Sequence, residues 1–290
     1  MTRSSISKPI LLTLSVCLLS LSTLWGQKKL AYQLFTQNGK KVTYGKMLKQ
    51  INAADIILFG EFHNNPICHW LQIELAKDLP SEKLVIGAEM FERDGEQALA
   101  DYLSGTIDHA ALDSLVRLWP NYETDYRPVV ELAKEEGIPF VGTNIPRKYA
   151  SLVYKEGFEA LETLSTEEKS WIAPLPIAYD PELPGYKKML DMIAGHGGEN
   201  FPKAQAIKDA TMAHFILENH KEGGTSLHLN GTYHSDDFEG ILWYLRERSP
   251  ELQYLTISTV EQPQLKKLNE ENKGKASYIL VISESMTKTY

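Results

Sequence analysis

Short apolar runs alternate with amphipathic stretches along most of the chain. The first clear run, Ile56 to Phe59, ends at Gly60, and Pro66 follows a few polar residues later. A continuous apolar run of this length is typical of a strand buried on both faces, and proline suits the first turn of a helix. The pattern therefore predicts a strand, a sharp turn and a helix.

The same pattern of strand, turn and helix recurs further along the chain. Five further strands are predicted. One opens the βα unit Lys83–Phe91 and ends before Glu89, and the others are Ile138–Asn144, the segment around Leu227, Leu252–Ser258 and Ser277–Ile282. Amphipathic helices lie between most of them, and one more is predicted from Asp237 to Arg248, capped by Asp236 and Asp237. Strands that alternate with helices favour a parallel sheet. We expect a three-layer α/β fold with a mainly parallel central sheet and a short N-terminal edge strand at Tyr32 to Phe35.

The character of the chain changes between residues 151 and 200. This stretch holds short helical patterns, four prolines and the glycine-rich loop around His196, but no strand pattern. We therefore predict an α/β domain built from residues 28–150 and 201–290, with a small all-helical subdomain at 151–200.

The first 26 residues predict a secretory signal. Two basic residues precede an apolar run from Ile10 to Leu21, which is short for a membrane span. Cleavage before Gln27 would export the protein to the periplasm or cell envelope. Lipidation at Cys17 is the alternative, although the valine before it fits a lipobox poorly. The only other cysteine, Cys68, would have no internal disulfide partner and is expected to pack as a small apolar residue.

The charge balance excludes one class of partner. The formal net charge is −8 over 290 residues, and removing residues 1–26 takes away two basic side chains and no acidic one. Such an acidic chain repels nucleic acid, so we expect no nucleic-acid partner.

Candidate chemistry gathers where the predicted strands end. Glu61 and His63 follow the first strand, Glu89 follows the second, and His234 follows the strand around Leu227. Both histidines stand three residues after a glycine. Because open α/β sheets bind ligands at the carboxyl ends of their strands, we expect these four side chains to share a site.

Two chemistries suit such a site. His63, Glu89 and His234 could bind a divalent transition metal that activates water. Without a metal, either histidine could act as a general base oriented by Glu61 or Glu89. The sequence contains no nucleophile elbow, no phosphate-binding loop, no dinucleotide fingerprint and no zincin motif.

Other residues are weaker candidates. Asn144 and Arg147 follow the third strand, and His69 is either a neighbour of the site or a partly exposed helical histidine. Asp209 and Met212, three residues apart on a helix, are either site residues or a cap and a core residue.

In several segments the sequence resembles the ChaN-like haem-binding proteins, within a wider group that holds the Tiki and TraB proteins and the erythromycin esterases. The resemblance covers most of the mature chain in order, and its segments are Ile57–Pro66, Ala88–Arg93, Asn144–Arg147, Gln205–Ala213 and Asn230–Ser235.

The resemblance implies two functions. ChaN members are implicated in haem or iron uptake at the bacterial envelope, which implies haem as ligand, a homodimer when haem is bound, and outer-membrane haem or iron receptor components as partners. Tiki relatives are described as metal-dependent proteases using two G-x-x-H motifs and a glutamate, which match Gly60/His63, Gly231/His234 and Glu89 here. A metal-dependent hydrolase of esters or peptides is therefore the alternative. The resemblance assigns no iron ligand. Tyrosine, histidine and methionine can all bind haem iron, and the candidates are Tyr149, Tyr154, Tyr179, Tyr186 and His196.

Overall fold

A single eight-stranded sheet forms the middle of the molecule. The computed structural model describes residues 29–192 and 198–290, so the predicted signal segment, Cys17 and His196 lie outside the described residues. The strands are β1 (Tyr32–Thr36), β2 (Lys41–Val42), β3 (Ile56–Glu61), β4 (Leu84–Glu92), β5 (Phe140–Asn144), β6 (Thr225–Gly231), β7 (Tyr254–Gln262) and β8 (Tyr278–Ser283).

The sheet is mostly parallel. Its order is β2-β1-β8-β7-β3-β6-β4-β5, in which the six strands from β8 to β5 run parallel. The hairpin of β1 and β2 adds to β8 in the antiparallel sense. The predicted α/β fold with a mainly parallel sheet is confirmed. The predicted edge strand is not at the edge, because β1 lies between β2 and β8.

Helices cover both faces of the sheet. They are α1 (Tyr44–Ile51), α2 (Pro66–Asp78), α3 (Glu96–Leu103), α4 (His109–Leu115), α5 (Arg127–Glu136), α6 (Arg147–Glu156), α7 (Thr166–Lys169), α8 (Pro184–Met192), α9 (Asn200–Asn219) and α10 (Ile241–Arg248). Helices α2, α3 and α5 pack on one face, and α9 and α10 pack on the other.

Strand β3 shows why its sequence is apolar throughout. Successive side chains of a strand point to opposite faces of the sheet. Ile57 and Phe59 enter the larger core, whereas Ile56 and Leu58 pack with Met212 on the other face. All four are fully buried, so the uninterrupted run reflects two covered faces rather than one.

The turn after β6 departs from the predicted helix. The segment holds two short 3-10 turns, Thr232–His234 and Asp236–Phe238, and α10 begins only at Ile241. Asp237 has φ +59°, outside the helical region, and the N-cap of α10 is Gly240. The predictions of a helix from Asp237 and of caps from Asp236 and Asp237 are therefore wrong.

The described part of residues 151–200 contains helices and turns but no strand. Its apolar side chains pack with Ile145 and Ile207 in a separate small core, and the chain from Ala31 to Tyr290 clusters as one compact unit. The division into a distinct subdomain at 151–200 stays a prediction. Among the described residues, no helix is long and apolar enough to cross a membrane.

Candidate functional site

Three neighbouring strands bring the predicted residues together. Strands β3 and β6 are paired so that Glu61 lies opposite Gly231, and β4 lies on the other side of β6. Glu61 is the last residue of β3, and Glu89 lies inside β4, which is longer than predicted. The two G-x-x-H turns therefore leave the sheet side by side at its carboxyl edge.

The first turn forms a buried carboxylate–histidine pair. Glu61 Oε1 lies 2.8 Å from His63 Nδ1 and also accepts a hydrogen bond from the Tyr126 hydroxyl at 2.8 Å. Its other oxygen accepts from Gln72 Nε2 at 2.6 Å. Glu61 is thus held from three sides, and it fixes the orientation of the His63 ring while part of that ring stays exposed.

His69 belongs to the same network. It is buried, its Nε2 lies 3.2 Å from the carbonyl of His63, and its Nδ1 lies 3.7 Å from Glu61 Oε2. Asn121 donates to the same carbonyl at 2.8 Å. The interpretation of His69 as a partly exposed helical histidine is wrong. His69 is a buried neighbour of the site, and its contact with the His63 carbonyl supports the first turn.

The second turn places His234 between two carboxylates. Its Nδ1 lies 2.5 Å from Asp209 Oδ1 on α9, and its Nε2 lies 3.1 Å from Glu89 Oε1. The second oxygen of Glu89 accepts the backbone N–H of Gly231 at 2.7 Å. All three side chains are buried, so His234 joins α9 to the centre of the sheet.

These contacts set the protonation states. Burial opposes a charge on His234, but the negative charges of Glu89 and Asp209 outweigh it and raise the pKa of His234 to about 10. Burial likewise opposes the charge on Glu89, yet His234 and His63 hold the pKa of Glu89 well below its usual range. Burial keeps the pKa of Asp209 above its ordinary value. His234 is therefore an imidazolium at neutral pH.

The two turns meet at Gly231. A Cβ atom built on this glycine would lie 2.8 Å from His63 Nε2 and 3.5 Å from Glu89 Oε2. Only a residue without a side chain allows His63 to approach the strand so closely. Glu61, His63, Glu89 and His234 thus form one continuous cluster.

The remaining predicted residues divide between this cluster and other places. Asn144 is buried beside it and donates from Nδ2 to the carbonyl of Glu89 at 3.0 Å. Met212 is fully buried in the core with Ile56 and Leu58, so the interpretation as a core residue applies. Arg147 is exposed at the start of α6, outside this cluster, where its backbone N–H donates to Glu92.

The described residues do not assemble a metal centre. No group of three or more His, Cys, Asp or Glu within 29–192 and 198–290 is arranged to hold an ion. Both nitrogens of His234 face carboxylates, and an imidazolium has no lone pair to offer. The predicted metal role of His63, Glu89 and His234 therefore gains no support.

A wide pocket opens above the first turn. Its volume is about 870 Å³, within the usual range for small-molecule sites. We call it the edge pocket; His63 and His234 form its polar floor, and its walls include Phe62, Met189, Phe201, Tyr233, Lys288 and Tyr290. Thr289 holds the C-terminal segment next to the edge pocket. Its N–H donates a hydrogen bond to the Asn64 carbonyl, and its hydroxyl donates one to Asp125.

The sequence did not point to several residues that build the site. Gln72 lies on α2, whereas Asp125 and Tyr126 lie on a π-helical turn (Tyr122–Tyr126) that leads into α5, and no motif marks them. The tyrosines considered as iron ligands lie apart from the edge pocket: Tyr149 is buried against Glu168, Tyr154 is exposed on α6, and Tyr179 stacks on Tyr186.

Comparison with known proteins identifies relatives. The family model described as haem-binding uptake, Tiki superfamily, ChaN matches residues 47–245. The solved structure described as cofacial haem binding to ChaN of Campylobacter jejuni superposes with a TM-score of 0.64; the two sequences are 17% identical over 87% of this chain and 96% of that one, a likeness that shows the fold.

Two more distant structures match with a TM-score of 0.49: a protein from Bacillus cereus (13% identity, 82% of this chain, 90% of that one) and a succinoglycan biosynthesis protein (14%, 82%, 90%). No curated protein matches the sequence.

Proposed function

Because this chain belongs to the ChaN family of haem-binding uptake proteins in the Tiki superfamily, we propose that it binds haem and serves in haem or iron uptake at the bacterial envelope. The family match over residues 47–245 is the observation that carries this proposal. The edge pocket adds a place for the ligand, since it is large and most of the surface that it exposes is apolar.

The chemistry of the pocket fits an iron porphyrin. Histidine, tyrosine and methionine all bind haem iron, and the edge pocket presents His63, Met189, Tyr233 and Tyr290. In its neutral form His63 donates from Nδ1 to Glu61, which leaves the lone pair on Nε2, the usual arrangement of a metal-binding histidine. When bound, haem would supply an iron that one of these side chains ligates.

Two protomers would share the haem. The Campylobacter jejuni structure is described as cofacial haem binding, and two porphyrins face each other most simply across a homodimer. We extend this arrangement to the present chain. Outer-membrane haem or iron receptor components are the partners that such a role requires.

We also propose that the protein is exported and that its mature form begins at Gln27. We expect the intact mass of protein isolated from the native envelope to correspond to residues 27–290. A mass that shows a diacylated terminus at Cys17 would contradict this and replace the free periplasmic form by an anchored one.

Titration of the haem-free protein with haemin is expected to give a saturable Soret band and a shift from monomer to dimer in light scattering. Met189→Glu should lower the haemin affinity at least about tenfold, because a carboxylate in the apolar wall would have to be desolvated by the porphyrin. Leu115→Glu is the matched control, since Leu115 is exposed and lies outside the edge pocket.

The outcomes separate the parts of this proposal. Binding no tighter than that of a non-specific albumin-like sink would refute haem binding. Saturable binding that Met189→Glu leaves unchanged would keep haem as the ligand and move it away from the edge pocket. The metal-dependent hydrolase is not favoured, because the described side chains that it would need pair with one another.

A further inference from the structure

A second cavity lies beside the edge pocket. Its volume is about 310 Å³, and its walls come from α8, α9, β7 and the loops after β6 and β7. The residues that give it its chemistry are Tyr186, Asp209, Asp236, Glu239 and Lys275. None of these five lines the edge pocket, so the second cavity has a chemistry of its own.

The walls of the second cavity carry polar atoms whose hydrogen bonds are incomplete. Asp209 is fully buried; its Oδ1 contacts His234, while its Oδ2 has no hydrogen-bond partner in the described part of the chain. The Tyr186 hydroxyl and Asp236 Oδ1 also make no hydrogen bond of normal geometry there, although the hydroxyls of Tyr244 and Ser258 lie near them. Buried polar groups are nearly always paired in native proteins, so three unsatisfied atoms around one cavity point to a ligand.

The atoms that lack partners require a hydrogen-bond donor. Two of the three are carboxylate oxygens, which accept hydrogen bonds and donate none when ionised. The other charged side chains leave these oxygens unpaired: Lys275 lies 3.8 Å from the other oxygen of Asp236, and Lys188 lines the cavity without a hydrogen bond to either unsatisfied oxygen. Glu239 Oε2 accepts the N–H of Gly185 at 2.7 Å. A ligand rich in N–H groups and positively charged would satisfy both carboxylates.

A metal ion fits this cavity less well than an organic cation. The acidic residues around it belong to no group of three or more potential ligands arranged for an ion, within the ranges that the structure covers. The volume of about 310 Å³ leaves room for several carbon atoms beside the charged group.

We propose that the second cavity binds a small organic cation, a guanidine or a primary amine, whose N–H groups donate to Asp209 Oδ2 and Asp236 Oδ1 while the Tyr186 hydroxyl accepts a further one. The second cavity borders the edge pocket, and six residues line both: Phe62, Met189, Gln205, Thr232, Tyr233 and Glu261. The proposal does not rest on haem binding, and because of these shared walls the haem-free protein is the form in which to test it.

Butylguanidinium and N-butylurea test the proposal by calorimetric titration of the full mature chain. The two probes have nearly the same shape and differ in charge. We expect saturable binding of butylguanidinium and at least tenfold weaker binding of butylurea. Equal affinities would overturn the assignment to a cation and favour a neutral donor such as a polyol, and absence of binding by both would overturn the site.

Two isosteric variants locate the binding. Asp236→Asn should weaken butylguanidinium at least tenfold, because it removes the negative charge and keeps the shape. Tyr186→Phe should weaken it about threefold with little loss of thermal stability, since the neighbouring Tyr244 hydroxyl keeps its hydrogen bond to the Ala178 carbonyl; this variant decides the matter if Asp236→Asn does not fold. Glu251→Gln, an exposed acid before β7 at the opposite edge of the sheet, is the control. Unchanged affinity in both cavity variants would refute the site.

Discussion

Replacing His234 by alanine is expected to lower the free energy of unfolding by about 3–5 kcal/mol, which is the usual cost of removing one partner from a buried ion pair. The imidazolium lies between Glu89 and Asp209, both buried. Without it, two carboxylates remain close together in the interior with no positive charge between them. Urea denaturation monitored by circular dichroism measures the change.

His214→Ala serves as the control for His234→Ala. His214 lies on the same helix as Asp209, is only half-buried, and contacts Arg248 at the surface. Its loss should cost less than about 1 kcal/mol, as for other exposed polar contacts. Equal losses in the two variants would contradict the view that His234 neutralises a buried pair of acids.

The same triad predicts how stability depends on pH. Folding raises the pKa of His234 from 6.5 to about 10, so its contribution is complete below pH 6.5 and is lost as the pH rises towards 10. Folding lowers the pKa of Glu89 from 4.5, so its contribution is complete above pH 4.5 and is lost on acidification. Folding raises the pKa of Asp209. Above pH 3.8 its ionisation therefore destabilises the folded state and offsets part of the stability that His234 and Glu89 contribute.

The contribution of the triad to the unfolding free energy, measured as the difference between the wild type and His234→Ala, should therefore be greatest between pH 4.5 and 6.5 and should fall from pH 6.5 to 10. A difference that is flat between pH 6.5 and 10 would show that His234 titrates normally.

Gly240→Ala is expected to cost about 3–5 kcal/mol as well, through two effects that add. Gly240 has φ +57° and ψ −125°, a conformation that side chains strongly disfavour, at about 1–3 kcal/mol. A Cβ atom there would also overlap the His234 backbone carbonyl group, and such overpacking typically costs about 1–3 kcal/mol. The carbonyl belongs to the peptide that carries the imidazolium, so the variant should also disturb the triad.

Gly274→Ala separates the two effects. Gly274 has φ +86°, and a Cβ atom there would meet nothing within 4 Å. This variant should cost only about 1–2 kcal/mol, from the backbone conformation alone. Thermal unfolding of both variants makes the comparison, and a Gly240→Ala loss no larger than that of Gly274→Ala would remove the role assigned to the contact with His234.

The sequence predicts the centre of this fold better than its margins. Continuous apolar runs such as Ile56 to Phe59 arise only where both faces of a strand are covered, so β3 and its neighbours could be read directly. The position of β1 inside the sheet, between β2 and β8, could not be predicted, because its pairing with β8 depends on a strand almost 250 residues away in the chain. The helix expected from Asp237 fails because Gly240 ends the turn in a conformation that no periodicity records.

The candidate site likewise has a part that the sequence predicts and a part that it does not. Parallel topology is enough to bring Glu61, Glu89 and His234 to one edge. The hydrogen bond from Tyr126 to Glu61 and the pairing of Asp209 with His234 depend on how helices pack over that edge, which no motif encodes. Paired as they are, the carboxylates and histidines neutralise one another, and the metal centre expected from their identities alone is not assembled in the described residues.

The position of β3 has a consequence for the order in which the protein is made. Both of its neighbours, β6 and β7, come from the last third of the chain. Until Thr225 and the residues after it have been synthesised, β3 has no partner on either side and exposes two unpaired, entirely apolar edges, which invite aggregation. Such distant pairings also slow folding. The edge of the sheet that carries the candidate site is therefore completed only after the last third of the chain has been made.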